Sequence, residues 1–480
     1  MPENSLVIVS NRGAVTFSRS GSGERTHSRG AGGLVTALNA VSRQSGNAVW
    51  ISSATSEEDS AVAKEPAPYE VEDLRISLVE HDPEAYDLMY NRIANPLLWF
   101  VHHGLYNLPF SPDFGEDTRG AWERGYLSVN ENFAEAVAKM VEGDDSPTIL
   151  LHDYQLYMTP KLVREKVGGD VFVSLFVHIP WPEPDSWRTL PDYIREGVLE
   201  SLLHANVVAF HTKRYVRAFL STVEEVLGAD VDFEESIVHM GGREVWVRAY
   251  PISIDPSEFE ELSRSDGVIE EEKVVRNLPG KLLLRVDRMD LSKNIVRGFR
   301  AYGRMLEKYP EMRGEVTFLA QLQPSRGGIS EYDAYAKEIE KTVEEVNEAY
   351  GNSTWKPVEL SMEDNFPRSV AAYKNYDALL VNAVRDGMNL VAKEAAVVNE
   401  KGGVLILSEG AGAYEELKDG AITVNPFDLD EQAEAIHEAL TMPEEERHEK
   451  ARILRETVHS NTIEDWVESQ MKDIAAYRGR

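Results

Sequence analysis

The sequence has no cysteine, which excludes a disulfide framework, a thiolate nucleophile and any cysteine-ligated metal. No apolar run is long enough to cross a bilayer, and Met1-Pro-Glu-Asn-Ser5 has neither the basic start nor the apolar stretch of a secretory signal. A cytoplasmic location without a membrane partner is therefore expected. Zinc-type histidine pairs of the HExxH or HxxxH kind are missing. The two Asp-x-Asp strings, Asp230-Val-Asp232 and Asp428-Leu-Asp430, fall at expected loops or helix starts, so no metal and no cofactor is assigned. The GxGxxG dinucleotide fingerprint is absent too. Positive charge is scarce: 50 Lys and Arg face 82 Asp and Glu, a net charge of -32 that argues against nucleic acid or an anionic membrane as a general partner. The excess carboxylates read as a solvated, self-repelling surface. Against that background an Arg or Lys inside a turn carries weight.

What is present is a long α/β pattern. At 480 residues the chain exceeds one hydrophobic core and implies two or three domains. Leu6-Val-Ile-Val9 is an apolar strand ending in Ser10-Asn-Arg12. A Ser/Gly-rich loop from Gly13 to Arg29 follows, closed by Gly30-Ala-Gly-Gly33 at the start of a helix reaching about Arg43. Tyr86 through Trp99 reads as helical, with Leu88, Ile93, Leu97 and Leu98 apolar, and Ala121 to Val141 reads as an amphipathic helix. Three apolar strands then run into histidine turns: Thr148–Leu151 into His152-Asp-Tyr-Gln155, Phe172–Val177 into His178-Ile-Pro180, and Asn206–Phe210 into His211. Helical segments separate them, the alternation of a parallel sheet, and such sheets bind ligands at the carboxyl ends of their strands.

A second βα series begins near Pro251–Asp255. Lys281–Leu284 is a strand followed by the loop Arg288-Met-Asp-Leu-Ser-Lys293, whose two cations could clamp a diphosphate. Val316–Leu319 leads to Pro324-Ser-Arg326. Ala378–Val381 leads through the turn Arg385-Asp386-Gly387 to a helix from about Asn389. The positive end of that helix suits a phosphate, Asp386 can accept from sugar hydroxyls and Glu394 from a ribose. On residue types alone an ordinary strand–turn–helix with an Asp near its N-cap remains open, as does a surface role for Arg12.

Taken together, these motifs resemble the trehalose-6-phosphate synthase family, retaining glycosyltransferases of family 20. The residues carrying the likeness are Ser10-Asn-Arg12 with Ala31-Gly-Gly33, Tyr90 and Trp99, His152-Asp-Tyr154, His178-Ile-Pro180, and Arg288 with Ser292-Lys293. Pro324-Ser-Arg326, the string Arg385-Asp-Gly-Met-Asn-Leu-Val-Ala-Lys-Glu394, and Ala411-Gly412 with Val424-Asn-Pro426 complete it. The resemblance implies a GT-B architecture of two doubly wound Rossmann-like domains facing each other across a cleft. It implies an acceptor-binding domain over 1–255, a nucleotide-sugar-binding domain over 256–460, and a C-terminal helix, 461–480, crossing back.

The implied activity moves glucose from a nucleoside-diphosphate glucose to glucose 6-phosphate. Gly33, Arg288, Lys293, Asp386, Gly387, Met388, Asn389, Leu390 and Glu394 would hold the donor. Arg12, Tyr90, Trp99, Asp153 and Arg326 would hold the acceptor, and Arg288, Lys293, His178 and Asp153 would serve the chemistry. Glucosylglycerol-phosphate synthases, pseudo-glycosyltransferases acting on a cyclitol phosphate and a sugar-phosphate-binding regulator are the alternatives. Gln155, Trp181, Asp290-Leu291 and Asn294 depart from the family's usual residues. The donor base and the oligomeric state, a homo-oligomer included, are left open.

Overall fold

The structure, a computed structural model, describes residues 5–30, 35, 37–39, 41–42, 48–325 and 329–479. The chain divides into two compact units, Met1–Ile252 with Glu464–Arg480, and Ser253–Ile463. Each is an α/β layer structure built on a mainly or wholly parallel sheet.

The first unit contains strands β1 (Leu6–Ser10), β2 (Val15–Arg19), β3 (Arg25–Arg29), β4 (Val49–Ser53), β5 (Tyr69–Val71), β6 (Leu74–Val79), β7 (Thr148–His152), β8 (Phe172–Phe176), β9 (Val207–Phe210), β10 (Asp230–Asp232), β11 (Ile237–Met240) and β12 (Arg243–Ala249). Ten of them form one sheet in the order β10-β11-β12-β9-β8-β7-β1-β4-β6-β5, parallel except at β10-β11-β12 and β5-β6. Strand order reverses beside β1, which pairs with β7 on one side and β4 on the other. The inner strands are apolar throughout because helices cover both faces: Val7, Ile8, Val9, Ile149, Leu151, Val173 and Leu175 are fully buried. The helix Lys213–Leu227 shows the local logic. Thr212 caps its start, Tyr215, Val216, Phe219, Leu220 and Val223 line one face, and Gly228 ends it at φ 65°. The C-terminal helix Ile463–Arg478 belongs to this unit from Glu464 onward. Tyr250 Oη donates to Asp473 at 2.7 Å, and Tyr477 Oη to the Glu244 carbonyl at 2.8 Å.

The second unit contains β13 (Lys281–Arg288), β14 (Val316–Gln323), β15 (Val358–Ser361), β16 (Ala378–Val381), β17 (Val404–Ser408) and β18 (Ala421–Val424). All are parallel, in the order β15-β14-β13-β16-β17-β18, with the reversal between β13 and β16. Leu283, Phe299, Tyr302, Phe318, Leu380 and Ile406 belong to its core.

Several expectations change. The Gly13–Arg29 stretch is not a loop: β2 and β3 pair antiparallel as a hairpin, with Phe17 buried beside Tyr69. Asp230-Val-Asp232 is an edge strand, not a helix start or loop. β13 runs on to Arg288 rather than stopping at Leu284, because it pairs with β14 along its whole length. The 86–99 and 121–141 segments are not plain α-helices. Pro83–Leu88 is α-helical, Met89–Leu98 is wound as a π-helix and Trp99–His103 returns to α. Likewise Trp122–Leu127 is π-wound between the α-helices Glu116–Ala121 and Ser128–Met140. Pro96 inside the first π segment is the sequence signal for that departure, since proline cannot make an interior α-helical bond.

Candidate active site

In both units the polar residues emerge where strand order reverses, the place at which open parallel sheets bind ligands. In the first unit Arg12 follows β1, and His152 and Asp153 end its neighbour β7. Arg12 is exposed, and its Nη2 donates to Tyr90 Oη at 3.3 Å. Beside it Asn11 Nδ2 donates to Tyr86 Oη at 3.2 Å, and the two tyrosine rings stack at 6.0 Å. Tyr86 and Asn11 were not candidates from sequence; their place next to the Ser-Asn-Arg turn is tertiary.

Asp153 holds φ 77° and ψ 172°, a backbone region that is otherwise almost exclusive to glycine. The strain is held by two bonds. Its N–H donates to the Phe176 carbonyl at 2.8 Å, and its Oδ1 accepts the His178 N–H at 3.2 Å. Non-glycine residues in this region concentrate at functional sites, where the surroundings over-determine them. His178 stacks on Phe176 at 4.4 Å, with His211 at 5.1 Å and Trp466 at 6.3 Å, and its Nε2 lies 3.0 Å from His152 Nδ1. Burial and the neighbouring His211 and His152 hold the His178 pKa well below the ordinary value. Burial pushes His152 down to about 3. Both rings are therefore neutral at physiological pH, and one donates while the other accepts. Trp99 is buried, stacked on His103 at 3.9 Å and packed on Tyr154 at 5.7 Å.

In the second unit Arg288 is the exposed last residue of β13. The turn Leu291–Lys293 brings Lys293 Nζ to 2.5 Å from Asp386 and 3.7 Å from Asp287. Burial works against the charge on Lys293, but Asp386 and Asp287 outweigh it and hold its pKa above that of an ordinary lysine. The site thus has a permanent cation. Asn294, a departure from the family's usual glycine, takes the left-handed conformation at φ 60°. Its Nδ2 donates to the carbonyls of Asn382 at 2.9 Å and Pro426 at 2.6 Å, so the side chain ties together the loops after β13, β16 and β18.

The string Arg385–Glu394 wraps the start of the helix Leu390–Val398. Asn389, at φ 78°, precedes it and donates to Asp386 Oδ2 at 3.0 Å. No side chain caps the helix among the described residues, so the amides opening at Leu390 have no side-chain acceptor and are of the kind that can bind an anion. Gly387 and Met388 are buried under the loop after β17: a Cβ on Gly412 would lie 1.9 Å from the Gly387 carbonyl. Only glycine permits that approach. Lys393 is spent internally, buried against Glu416 at 2.7 Å. Glu394, partly buried, has its pKa raised to about 7 by burial, opposed by the Tyr373 hydroxyl that donates to it at 3.3 Å.

Two residues missed by sequence reasoning lie beneath Lys293. Arg285, fully buried in β13, sets its Nε 3.2 Å from Asp287 and donates through Nη2 to the Lys293 carbonyl at 3.2 Å and to Asn382 Oδ1. An arginine inside Leu282-Leu-Leu-Arg-Val286 was the available signal. Gly33 and Arg326 lie outside the described residues.

The model of the family described as glycosyltransferase family 20 matches residues 4–476. The chain belongs to glycosyltransferase family 20. It is a family 20 enzyme of GT-B type, with two Rossmann-like α/β units. It is 33% identical over 473 residues to an alpha,alpha-trehalose-phosphate synthase [UDP-forming] of Schizosaccharomyces pombe, covering 97% of this chain and 89% of that one. Other family 20 relatives are longer: the chain spans 61% of a Dictyostelium discoideum alpha,alpha-trehalose-phosphate synthase [UDP-forming] A, at 32% identity and with 96% of this chain covered. Among solved structures, the Escherichia coli trehalose-6-phosphate protein bound with UDP-2-fluoro glucose superposes with a TM-score of 0.85 at 28% identity, covering 98% of each chain. A Burkholderia xenovorans alpha,alpha-trehalose-phosphate synthase in complex with glucose-6-phosphate superposes with a TM-score of 0.83 at 28% identity, over 98% of this chain and all of that one (100%).

Proposed function

We propose that this family 20 enzyme transfers glucose from UDP-glucose to glucose 6-phosphate with retention, giving α,α-trehalose 6-phosphate. The observation that carries the reading is the Lys293–Asp386 pair at an uncapped helix start, with Arg288 on the next strand end and Glu394 one turn on. That set suits a nucleoside diphosphate sugar: cations and amides for the diphosphate, Asp386 and the Gly387–Asn389 backbone for glucose, Glu394 for ribose. The UDP-forming relatives and the bound UDP sugar of a similar structure favour uridine as the base that the sequence left open. Arg12, Tyr90, Trp99 and Asp153 supply an Arg, two aromatic groups and a carboxylate to a sugar phosphate, and the glucose-6-phosphate complex of a similar structure supports that acceptor.

No carboxylate is needed as a nucleophile. The acceptor oxygen bonds to the anomeric carbon on the face from which the diphosphate departs, and the leaving phosphate oxygen takes the acceptor's proton. Catalysis is then positioning plus charge stabilisation. Arg288 and Lys293 neutralise the departing diphosphate, and the neutral His178 contacts the donor sugar. The positive charge comes from side chains, so the reaction needs no metal ion and EDTA leaves the rate unchanged. The test is to supply glucose 6-phosphate with UDP-, GDP- or ADP-glucose and identify the product by mass and by the anomeric NMR signals. A disaccharide phosphate with both anomeric centres α is expected, fastest from UDP-glucose. Turnover only with glycerol 3-phosphate or a cyclitol phosphate overturns the acceptor assignment, and no turnover with any donor overturns the enzyme reading.

A further inference from the structure

The two π-wound segments pack on each other and carry side chains toward the first unit's strand ends. Tyr90 and Trp99 are nine residues apart. In an α-helix that separation is about two and a half turns, which puts the two side chains on opposite faces. Hydrogen bonds from residue i to i+5 widen the winding to about 4.4 residues per turn, so nine residues make about two whole turns and the side chains share a face. The backbone has that pattern: the Trp99 N–H donates to the Ala94 carbonyl, five residues back.

The side chains agree. Asn95 lies between Tyr90 and Trp99 on the same stripe. Tyr154 Oη donates to Asn95 Oδ1 at 2.8 Å, and the Tyr154 ring packs on Trp99 at 5.7 Å. Tyr90 takes the Arg12 guanidinium at the other end of the stripe. Thus Tyr90, Asn95 and Trp99 lie against the turns that follow β1 and β7; Tyr90 is partly exposed, and Asn95 and Trp99 are buried together with Met89, Ile93, Ala94 and Leu98.

The second π segment holds this arrangement in place. Gly125 within it sits against the point where the first winding begins: a Cβ there would lie 2.6 Å from Leu88 Cβ and 2.8 Å from the Met89 amide nitrogen. The next residue, Tyr126, donates through Oη to the Tyr154 carbonyl at 2.5 Å and accepts the Tyr157 N–H at 3.2 Å. Asn130 Nδ2 donates to the Gln155 carbonyl at 3.0 Å, and its Oδ1 accepts from Thr159 at 2.8 Å. The π segment through Gly125 therefore contacts the helix that carries Tyr90, and Tyr126, with Asn130 of the α-helix that follows, clamps the turn after Asp153.

We propose that Gly125 and Asn95 are positioning residues for the acceptor, holding the π winding that turns Tyr90 and Trp99 to one face. This rests on the reading of Tyr90 and Trp99 as acceptor-binding side chains. Neither positioning residue touches substrate: Gly125 sets the start of the winding and Asn95 pins its middle to Tyr154.

The test is a KM-against-kcat separation on Gly125→Ala, Asn95→Ala, Tyr154→Phe and Asn95→Ala/Tyr154→Phe, with UDP affinity by calorimetry on the same samples. Gly125→Ala is expected to raise the KM for glucose 6-phosphate about tenfold, leaving UDP affinity and the KM for UDP-glucose within twofold. Asn95→Ala and Tyr154→Phe each raise the acceptor KM several-fold, and the double variant matches the larger single one because both remove one bond. An unchanged acceptor KM in folded Gly125→Ala, or equal rises for donor and acceptor, overturns the proposal. Should Gly125→Ala not fold, the Asn95/Tyr154 cycle decides: additive effects, or none, overturn it. Tyr90→Phe and Trp99→Phe distinguish the failures. If these leave the acceptor KM unchanged, the acceptor reading itself falls and takes this proposal with it. If they raise it while the Gly125 and Asn95 variants do not, only the positioning role falls.

Discussion

Replacing Arg285 by methionine tests the charge cluster beneath Lys293. Arg285 is wholly buried and Asp287 is 8% exposed, so their pairing is sheltered from solvent screening. With the guanidinium gone, Asp287 keeps, among the described residues, only Lys293 as an ion-pair partner, at 3.7 Å and already engaged by Asp386. The Lys293 carbonyl and Asn382 Oδ1 each lose a donor. Breaking a buried pair by removing one partner costs about 3–5 kcal/mol, and an orphaned buried acceptor about 1–3 kcal/mol, a contribution that overlaps the first. We expect Arg285→Met to lose about 4 kcal/mol in urea unfolding, and about 10 °C in Tm for a domain of this size. Adding Asp287→Asn removes the stranded charge and should restore at least half the loss. Gly298→Ala perturbs the same group from the other side, since its Cβ would lie 2.7 Å from Arg285 Nη1; overpacking of that kind costs about 1–3 kcal/mol. If Arg285→Met melts within about 2 °C of wild type, or the double variant is less stable than the single, the charge argument is wrong.

Three other outcomes are expected. Arg288→Ala or Lys293→Ala should lower kcat by about 10²–10³ while the protein stays folded, the size of one lost electrostatic contact to a developing charge; wild-type turnover in steady-state assays refutes the role. Asp153→Gly should be more stable than Asp153→Ala by about 1 kcal/mol in thermal unfolding, because both lose the carboxylate but only glycine relieves the backbone strain; both should lose acceptor binding, and equal melting points contradict the strain. For Glu394 the folded pKa is about 7 against an ordinary 4.5, so between those values the folded protein keeps a proton that the unfolded chain releases. Its contribution to stability is full below about pH 4.5 and is lost as pH rises toward 7. Glu394→Gln should flatten that part of the Tm–pH curve. An unchanged curve refutes the shift.

The sequence by itself determined the alternation of apolar strands and helices, because burial on both faces of a parallel sheet demands uninterrupted apolar runs such as Leu6–Val9 and Ala378–Val381. It also determined the strand–turn–helix form of Arg385–Glu394, since the string is contiguous: its turn, its glycine and its helix start are local. Within each unit taken by itself, the position of Arg12, Asp153 and His178, and of Arg288 and Lys293, at or just past strand ends was legible from the apolar runs that precede them. What only the tertiary structure decided depends on contacts distant in sequence. The strain at Asp153 exists because Phe176 and His178 hold it from both sides. β13 reaches Arg288 because β14 pairs with all of it, which buries Arg285 and Asp287 under the lysine. A C-terminal helix was expected from the sequence, yet that its Trp466 packs on Phe176 beside His178 is a matter of folding. The common face of Tyr90 and Trp99 follows from a helical winding that α-periodicity cannot reveal, because one extra residue per turn rotates every later side chain.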